Sequence, residues 1–222
     1  MHNLENVYEK YNTDKGNKPA FEDLNRFGHR YGDFYNSFFE KYIGKNPSIL
    51  EIGVFEGESM LAHNDYFNND CTITGIDAAN YLKFDTNDFP NIELVLGYSE
   101  NEETFNKVKD KRYDIILDDA SHTCANQIHN LKTYSTLLKP NGIYILEDLH
   151  SNLNQWYTNG DMNDTALNFL LTKRQTKYLS LYEYIYLMKK IKHVFFYSRA
   201  REFFHTFDEE KCSITSVIEF NE

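Results

Sequence analysis

Five short apolar runs alternate with helix-patterned segments between Ser48 and Asp148, which predicts an α/β protein with a mostly parallel sheet and helices on both faces. Carboxylates gather where those runs end: Glu51, Asp77, Asp118, Asp119, Glu147 and Asp148. Open sheets of this kind take ligands at the carboxyl ends of their strands, and acidic residues collected on one rim are no packing requirement. The C-terminal stretch "FFHTFDEEKCSITSVIEF" reads as two strands around an acidic turn, an antiparallel hairpin that completes the sheet.

The first residues, to about Pro47, read as a helical cap segment (1–47) set against a sheet domain (48–222), one compact domain overall. In "YGDFYNSFFEKYI", Tyr31, Phe34, Tyr35, Phe38, Phe39 and Tyr42 recur at spacings of three and four, one apolar helix face that covers a core. "SILEIGVF" is a buried strand, "GESMLAHNDYF" a helix, "CTITGID" a second strand and "NIELVLG" a third. A helix over "NEETFNKVKD", a strand over "YDIILDD", a helix over "CANQIHNLKTYSTLL" and a turn plus strand over "PNGIYILED" follow. "SNLNQWYTNGDMND" holds the single tryptophan, Trp156, and reads as a polar loop over the rim, a lid. "TALNFLLTKRQTKYLSLYEYIYLMKKIKH" is mostly helical, and "HVFFYSRAREFF" fits helix and strand equally.

Composition narrows the functional classes. The formal charge is −11, so a broad nucleic-acid footprint, which needs clustered Lys and Arg, is not expected. The three cysteines, Cys71, Cys124 and Cys212, are scattered and carry neither a disulfide framework nor a zinc site. The N-terminus is polar and acidic, unlike a signal peptide, and no apolar run approaches a membrane span, so a cytoplasmic protein is expected.

Two groups of residues carry chemistry. "LEIGVFEGES" lies where the first strand turns into the first helix; Gly53 suits a tight turn and Gly57 a close backbone approach. Asp77 ends the next strand, where a carboxylate can receive ribose hydroxyls. The G-x-x-x-G spacing departs from the dinucleotide fingerprint, and Glu56 and Glu58 in the turn would repel a pyrophosphate. A positively charged nucleoside cofactor such as S-adenosylmethionine fits better. A purely structural glycine turn is the alternative.

The second group is "DDASH" (118–122) with "ED" (147–148). Two acidic pairs at neighbouring strand ends repel one another, and a hard divalent ion, Mg²⁺ or else Mn²⁺ or Ca²⁺, relieves the repulsion. Helix capping and solvent-facing carboxylates are the plain alternative. His122, near the start of the following helix, suits a general base, since a helix N-terminus disfavours imidazolium. His63 and His129, inside helices, read as structural.

The motifs "YNTDKG", "HRYGDFYNSFF", "ILEIGVFEGES", "GID", "DDASH" and "ILEDLH" resemble those of the metal-dependent sugar O-methyltransferases of macrolide tailoring, the macrocin and mycinamicin type, with cephalosporin hydroxylase-like proteins as distant relatives. The resemblance covers most of residues 10–152. It implies a Rossmann-like class I methyltransferase fold, S-adenosylmethionine and Mg²⁺, with Asp119, Glu147 and Asp148 on the metal and His122 as base. Cofactor residues would be Thr13, Lys15, Glu51, Gly53, Gly57, Ser59, Asp77, Ser99 and Asp118, with the "TDKG" loop folding over the cofactor and Asp118 facing it or supporting the site. Tyr31 and His150 are the candidate substrate contacts. Ala120 stands where the family commonly has glycine, the chain is shorter than some macrolide enzymes, and the region after Asp148 does not match.

The expected activity is methyl transfer to a sugar hydroxyl of a glycan or glycosylated metabolite. A catechol-type O-methyltransferase on a phenolic acceptor and a non-catalytic nucleoside-binding protein are the competing readings. The expected partner is a small-molecule or glycan acceptor, with no nucleic acid and no membrane span, and a homo-oligomer is left open.

Overall fold

A computed structural model describes residues 3–17, 28–200 and 212–221. It forms two compact units, Met1–Gly97 and Tyr98–Glu222.

In the first unit, helix α1 (Leu4–Tyr11) begins at Asn3, whose side chain accepts from the N–H groups of Glu5 and Asn6, and ends at Asn12 in the left-handed conformation. Helix α2 (Gly32–Phe39) follows and runs into a 3₁₀ turn, Glu40–Tyr42. The expected aromatic face is there: Tyr31, Tyr35, Phe39 and Tyr42 are buried, whereas Phe34 and Phe38 lie at its half-buried border. Strand β1 (Ser48–Ile52) leads into helix α3 (Glu58–Tyr66), then strand β2 (Thr72–Asp77) and strand β3 (Ile92–Leu96). β1 pairs in parallel with β2 (Ile49↔Ile73), and β2 with β3 (Ile73↔Ile92). Phe39 packs against Tyr66 and Phe67, and Asn36 Oδ1 accepts from both Leu4 N and Tyr66 OH, joining the three helices.

The second unit begins with helix α4, only Glu102–Asn106 of the segment expected to be helical. Strand β4 (Tyr113–Asp118), helix α5 (Cys124–Tyr134) and strand β5 (Leu138–Leu146) follow. The expected "PNG" turn is instead an irregularity within β5, where the register with β4 jumps from Tyr113↔Leu138 to Ile115↔Ile143. Gly142 is needed there, because a Cβ would lie 3.0 Å from the Lys139 carbonyl and 3.1 Å from that of Asp114.

Short helix α6 (Gln155–Thr158) precedes helix α7 (Ala166–Thr172) and helix α8 (Leu181–Lys190). The long C-terminal helical segment is thus broken at Lys173, in the left-handed conformation, and restarts at a capping box formed by Ser180 and Glu183. The ambiguous "HVFFYSRA" is strand, in β6 (Ile191–Ala200), and it pairs antiparallel with β7 (Cys212–Phe220). The hairpin's first arm therefore lies upstream of the one expected; "FFHTFDEEK" falls outside the described residues. β7 also pairs antiparallel with β5 (Ile145↔Val217), while β4 and β5 are parallel. Among the described residues, no helix is long and apolar enough to cross a membrane.

Candidate functional site

The glycine turn after β1 is held from below by Asp77. One carboxylate oxygen accepts from Val54 N at 3.0 Å and Phe55 N at 2.9 Å, and the other from Ala79 N at 3.3 Å. The carboxylate of Asp77, a candidate cofactor residue, thus also shapes the turn. Gly53 and Gly57 both have φ of 84° and Phe55 has φ of 47°, so the turn uses left-handed backbone at three places. Gly57 does not open space for a ligand, because a Cβ there would lie 2.5 Å from Phe84 and 2.6 Å from Leu82. The chain's own side chains press on that position. The expected repulsion by Glu56 and Glu58 is also tempered, since Lys83 pairs with both.

Beneath the turn, Glu51 is fully buried. Its carboxylate accepts from Ser59 Oγ at 2.5 Å and faces His63 Nδ1 at 3.4 Å. Burial pushes this carboxyl up, but His63, Lys15 and Ser59 together outweigh it and hold it below its ordinary range. Thr13 and Lys15 are buried as well. The "TDKG" loop is held in place by backbone bonds, in which the Asp14, Lys15 and Gly16 carbonyls accept from His29, Tyr31 and Arg30 N–H groups. Tyr31 was expected to touch substrate. It is fully buried, stacked on His29 at 4.9 Å and packed against Tyr35, so its ring serves the core.

In the second unit each acidic pair is divided. One carboxylate of each pair turns inward and the other outward, with Asp119 just past the end of β4 and Asp148, past the end of β5, in left-handed backbone. Asp118 is 2% exposed and Glu147 1%, whereas Asp119 and Asp148 stay partly open. The β4–β5 register sets Asp118 beside Leu146, and Glu147 N donates to the Asp118 carbonyl at 3.0 Å, so the two pairs end level.

Asp118 is expected to face the cofactor or to support the site. Both of its oxygens are taken inside the unit, by Asn130 Nδ2 and by Tyr144 OH, each at 2.9 Å. Burial raises this carboxyl to about 7 against the pull of those two donors. The bonding continues through Asn130 to Asn126 and on to Ser99 Oγ, with Tyr134 OH donating to the Ser99 carbonyl. These amide partners were missed by the sequence reading. The signal was the polar set Asn126, Gln127 and Asn130 on an otherwise apolar face of α5, where a buried amide must have a partner.

The outward carboxylates meet at His122. Asp119, His122 and Asp148 each offer a ligand atom, and those atoms lie within 4.8 Å of one another. His122 Nδ1 stands 3.9 Å from Asp119 Oδ1, and Nε2 stands 3.9 Å from Asp148 Oδ2. Two backbone features build this corner: His122 has φ of 58° and Asp148 φ of 50°. Ser151 Oγ donates to the His122 carbonyl, and Thr123 caps α5 immediately afterwards. The imidazole's surroundings are thus two carboxylates as well as a helix start. Glu147, expected as a metal ligand, is not in this set; its backbone carbonyl accepts from Gln127 Nε2.

The donors are two carboxylates and an imidazole, the oxygen and nitrogen types a divalent ion takes, gathered within 4.8 Å of one another. His122 Nδ1 is buried with no hydrogen-bond partner among the described residues, as an atom reserved for an ion or a proton would be. The residues present therefore fit a divalent cation. The nitrogen donor admits Mn²⁺ beside Mg²⁺.

His150, the other candidate substrate contact, lies with its Nδ1 3.9 Å from Asp148 Oδ1. The expected lid begins as a 3₁₀ turn, Leu149–Leu153, that is anchored rather than free: Asn152 bonds Gln127 Oε1 at 2.7 Å and accepts from Leu167 N at 2.8 Å. Beyond it Tyr157 meets the His122 ring edge-on at 6.4 Å, and Trp156 is 89% exposed.

No protein-family model and no curated protein matches the chain. Solved structures do match in fold. The MycE methyltransferase from the mycinamycin biosynthetic pathway, in complex with Mg, SAH and mycinamycin VI, aligns with a TM-score of 0.71 at 18% identity over 100% of this chain and 55% of that one. This chain thus spans about half of MycE's length. An O-methyltransferase fold from Klebsiella pneumoniae, described as a putative enzyme in its own right, aligns at 0.56 and 14% identity over 100% of this chain and 91% of that one. The O-methyltransferase from Bacillus cereus in complex with SAH aligns at 0.54 and 13% identity, over 98% and 90%. The chain has the Rossmann-like methyltransferase fold that the motifs implied: a mostly parallel sheet with an antiparallel C-terminal hairpin.

Proposed function

We propose that the protein is an S-adenosylmethionine- and divalent-metal-dependent O-methyltransferase acting on a sugar hydroxyl of a glycan or glycosylated metabolite. The observation that carries this reading is the meeting of Asp119, His122 and Asp148 at one corner of the second unit. Asp119, Glu147 and Asp148 would hold the metal, which leaves His122 as the base. A bound divalent ion lowers the pKa of a hydroxyl it contacts. His122 receives the acceptor's proton at a ring nitrogen, and the flanking carboxylates stabilise the resulting imidazolium. The turn Gly53–Glu58, braced by Asp77, holds the cofactor. The fold's likeness to MycE, solved in complex with Mg, SAH and mycinamycin VI, supports a metal- and S-adenosylmethionine-dependent reaction. A cytoplasmic location is part of this proposal.

The test is methyl transfer from S-adenosylmethionine to a panel of sugar and catechol acceptors, with Mg²⁺, with Mn²⁺ and after EDTA. Turnover on a sugar, abolished by EDTA and by His122→Ala, is expected. A general base contributes on the order of 10²–10⁴ in rate. Turnover confined to catechols, or a His122→Ala variant with unchanged rate, would overturn the assignment.

A further inference from the structure

Four polar side chains form a continuous buried chain in the first unit. Tyr8 OH lies 2.8 Å from His63 Nε2, His63 Nδ1 lies 3.4 Å from Glu51 Oε2, and Glu51 Oε1 accepts from Ser59 Oγ at 2.5 Å. Tyr8, His63 and Glu51 are all fully buried, and Ser59 is 6% exposed. Phe39 covers the imidazole from one side at 5.6 Å between ring centroids. His63 Nδ1 and Glu51 Oε2 face one another without a hydrogen bond, so a histidine and a glutamate stand in a dry place held by charge alone, a costly arrangement for a position that needs only volume. A helix face that needed only volume would carry a leucine there.

The chain ends in a specific place. Ser59 sits in the first turn of α3, directly after the Gly53–Gly57 turn, and Lys15 of the stitched "TDKG" loop adds its charge to Glu51. The sequence reading treated His63 as an ordinary core histidine. We infer instead that His63 is a positioning residue: oriented by Tyr8, it fixes the Glu51 carboxylate, which through Ser59 fixes the start of α3 and so sets cofactor affinity. This rests on the proposal that the turn Gly53–Glu58 holds S-adenosylmethionine. The Nδ1 arm toward Glu51 is the one that matters, with the Nε2 arm to Tyr8 selecting ring orientation and tautomer.

Titration calorimetry with S-adenosylhomocysteine on the full chain tests it. His63→Leu and His63→Gln are expected to weaken binding about tenfold. His63→Asn, whose amide can occupy the Nδ1 position, is expected to retain affinity within about threefold. Tyr8→Phe, the mildest change, should lose about threefold. In a Glu51→Gln background, His63→Leu should cost nothing further, because the arm it removes has already lost its charge partner. A purely volumetric role predicts the opposite ranking, with Leu better than Asn, and additive effects with Glu51→Gln; either result overturns the inference. Wild-type protein that binds no S-adenosylhomocysteine refutes the functional reading and this inference together. Wild-type binding with an unaffected His63→Leu refutes this inference alone.

Discussion

Replacing Glu5 by glutamine should remove a pH-dependent weakness of the first unit. Glu5 lies in the first turn of α1 and is 7% exposed. It is pressed against the start of α2 so closely that a Cβ on Gly32 would lie 2.5 Å from the Glu5 Cα and 2.6 Å from its Oε2. Burial first, and then the nearby Asp33, raise its carboxyl from 4.5 to about 7, against the opposing pull of the Gly32 backbone and Arg30. Between those two values the folded chain binds more protons than the unfolded one, so stability falls as pH rises through that window. The gap corresponds to about 3 kcal/mol, present in full below pH 4.5 and lost by about pH 8. Glutamine has no charge to bury. Urea unfolding at pH 4, 6 and 8 should show Glu5→Gln nearly equal to wild type at pH 4 and more stable at pH 8, by up to about 3 kcal/mol or roughly 1.5 M in midpoint. Parallel pH curves for the two proteins would refute the assignment of a protonated, buried Glu5.

Three other substitutions probe the elements around the site. Gly57→Ala forces a Cβ onto Phe84 and Leu82 at a positive φ, and should cost about 2–4 kcal/mol in urea unfolding. A cost below about 1 kcal/mol would show that both side chains simply swing away. Tyr144→Phe removes one of the two side-chain donors to Asp118 and should cost about 1–3 kcal/mol, more above pH 7 than at pH 5, because the lost bond favours the ionised carboxylate. An equal cost at both pH values would mean that Asp118 does not change its protonation state between them. Ser180→Ala breaks the capping box of α8 and should lower stability by about 1 kcal/mol, read as a shift of a few degrees in Tm.

Element order was legible from periodicity. The apolar runs at 48–52, 72–77, 92–96, 113–118 and 143–146 are β-branched and leucine-rich, bounded by glycine and acidic residues, and local patterning suffices to mark such strands. The strand-end location of "DDASH" and "ED" was legible for the same reason. Where local preference is balanced, as in "HVFFYSRA", pairing with β7 decided for strand. The division of each acidic pair into a buried and an open carboxylate needed the folded backbone beyond β4 and β5, where Asp148 takes the left-handed conformation.

The partners of the buried carboxylates lie farther still from local pattern. Asn130 is 12 residues from Asp118, Tyr144 is 26 away, and Tyr8 reaches His63 across 55. Spacing along a chain carries no information about such contacts, since they arise only when packing removes water and leaves each polar group to find another. From residue order alone come the alternating fold, the glycine turn after β1 and the acidic strand ends. Long-range packing then makes Asp118 and Glu51 internal struts and leaves Asp119, Asp148 and His122 as the open corner where chemistry can occur.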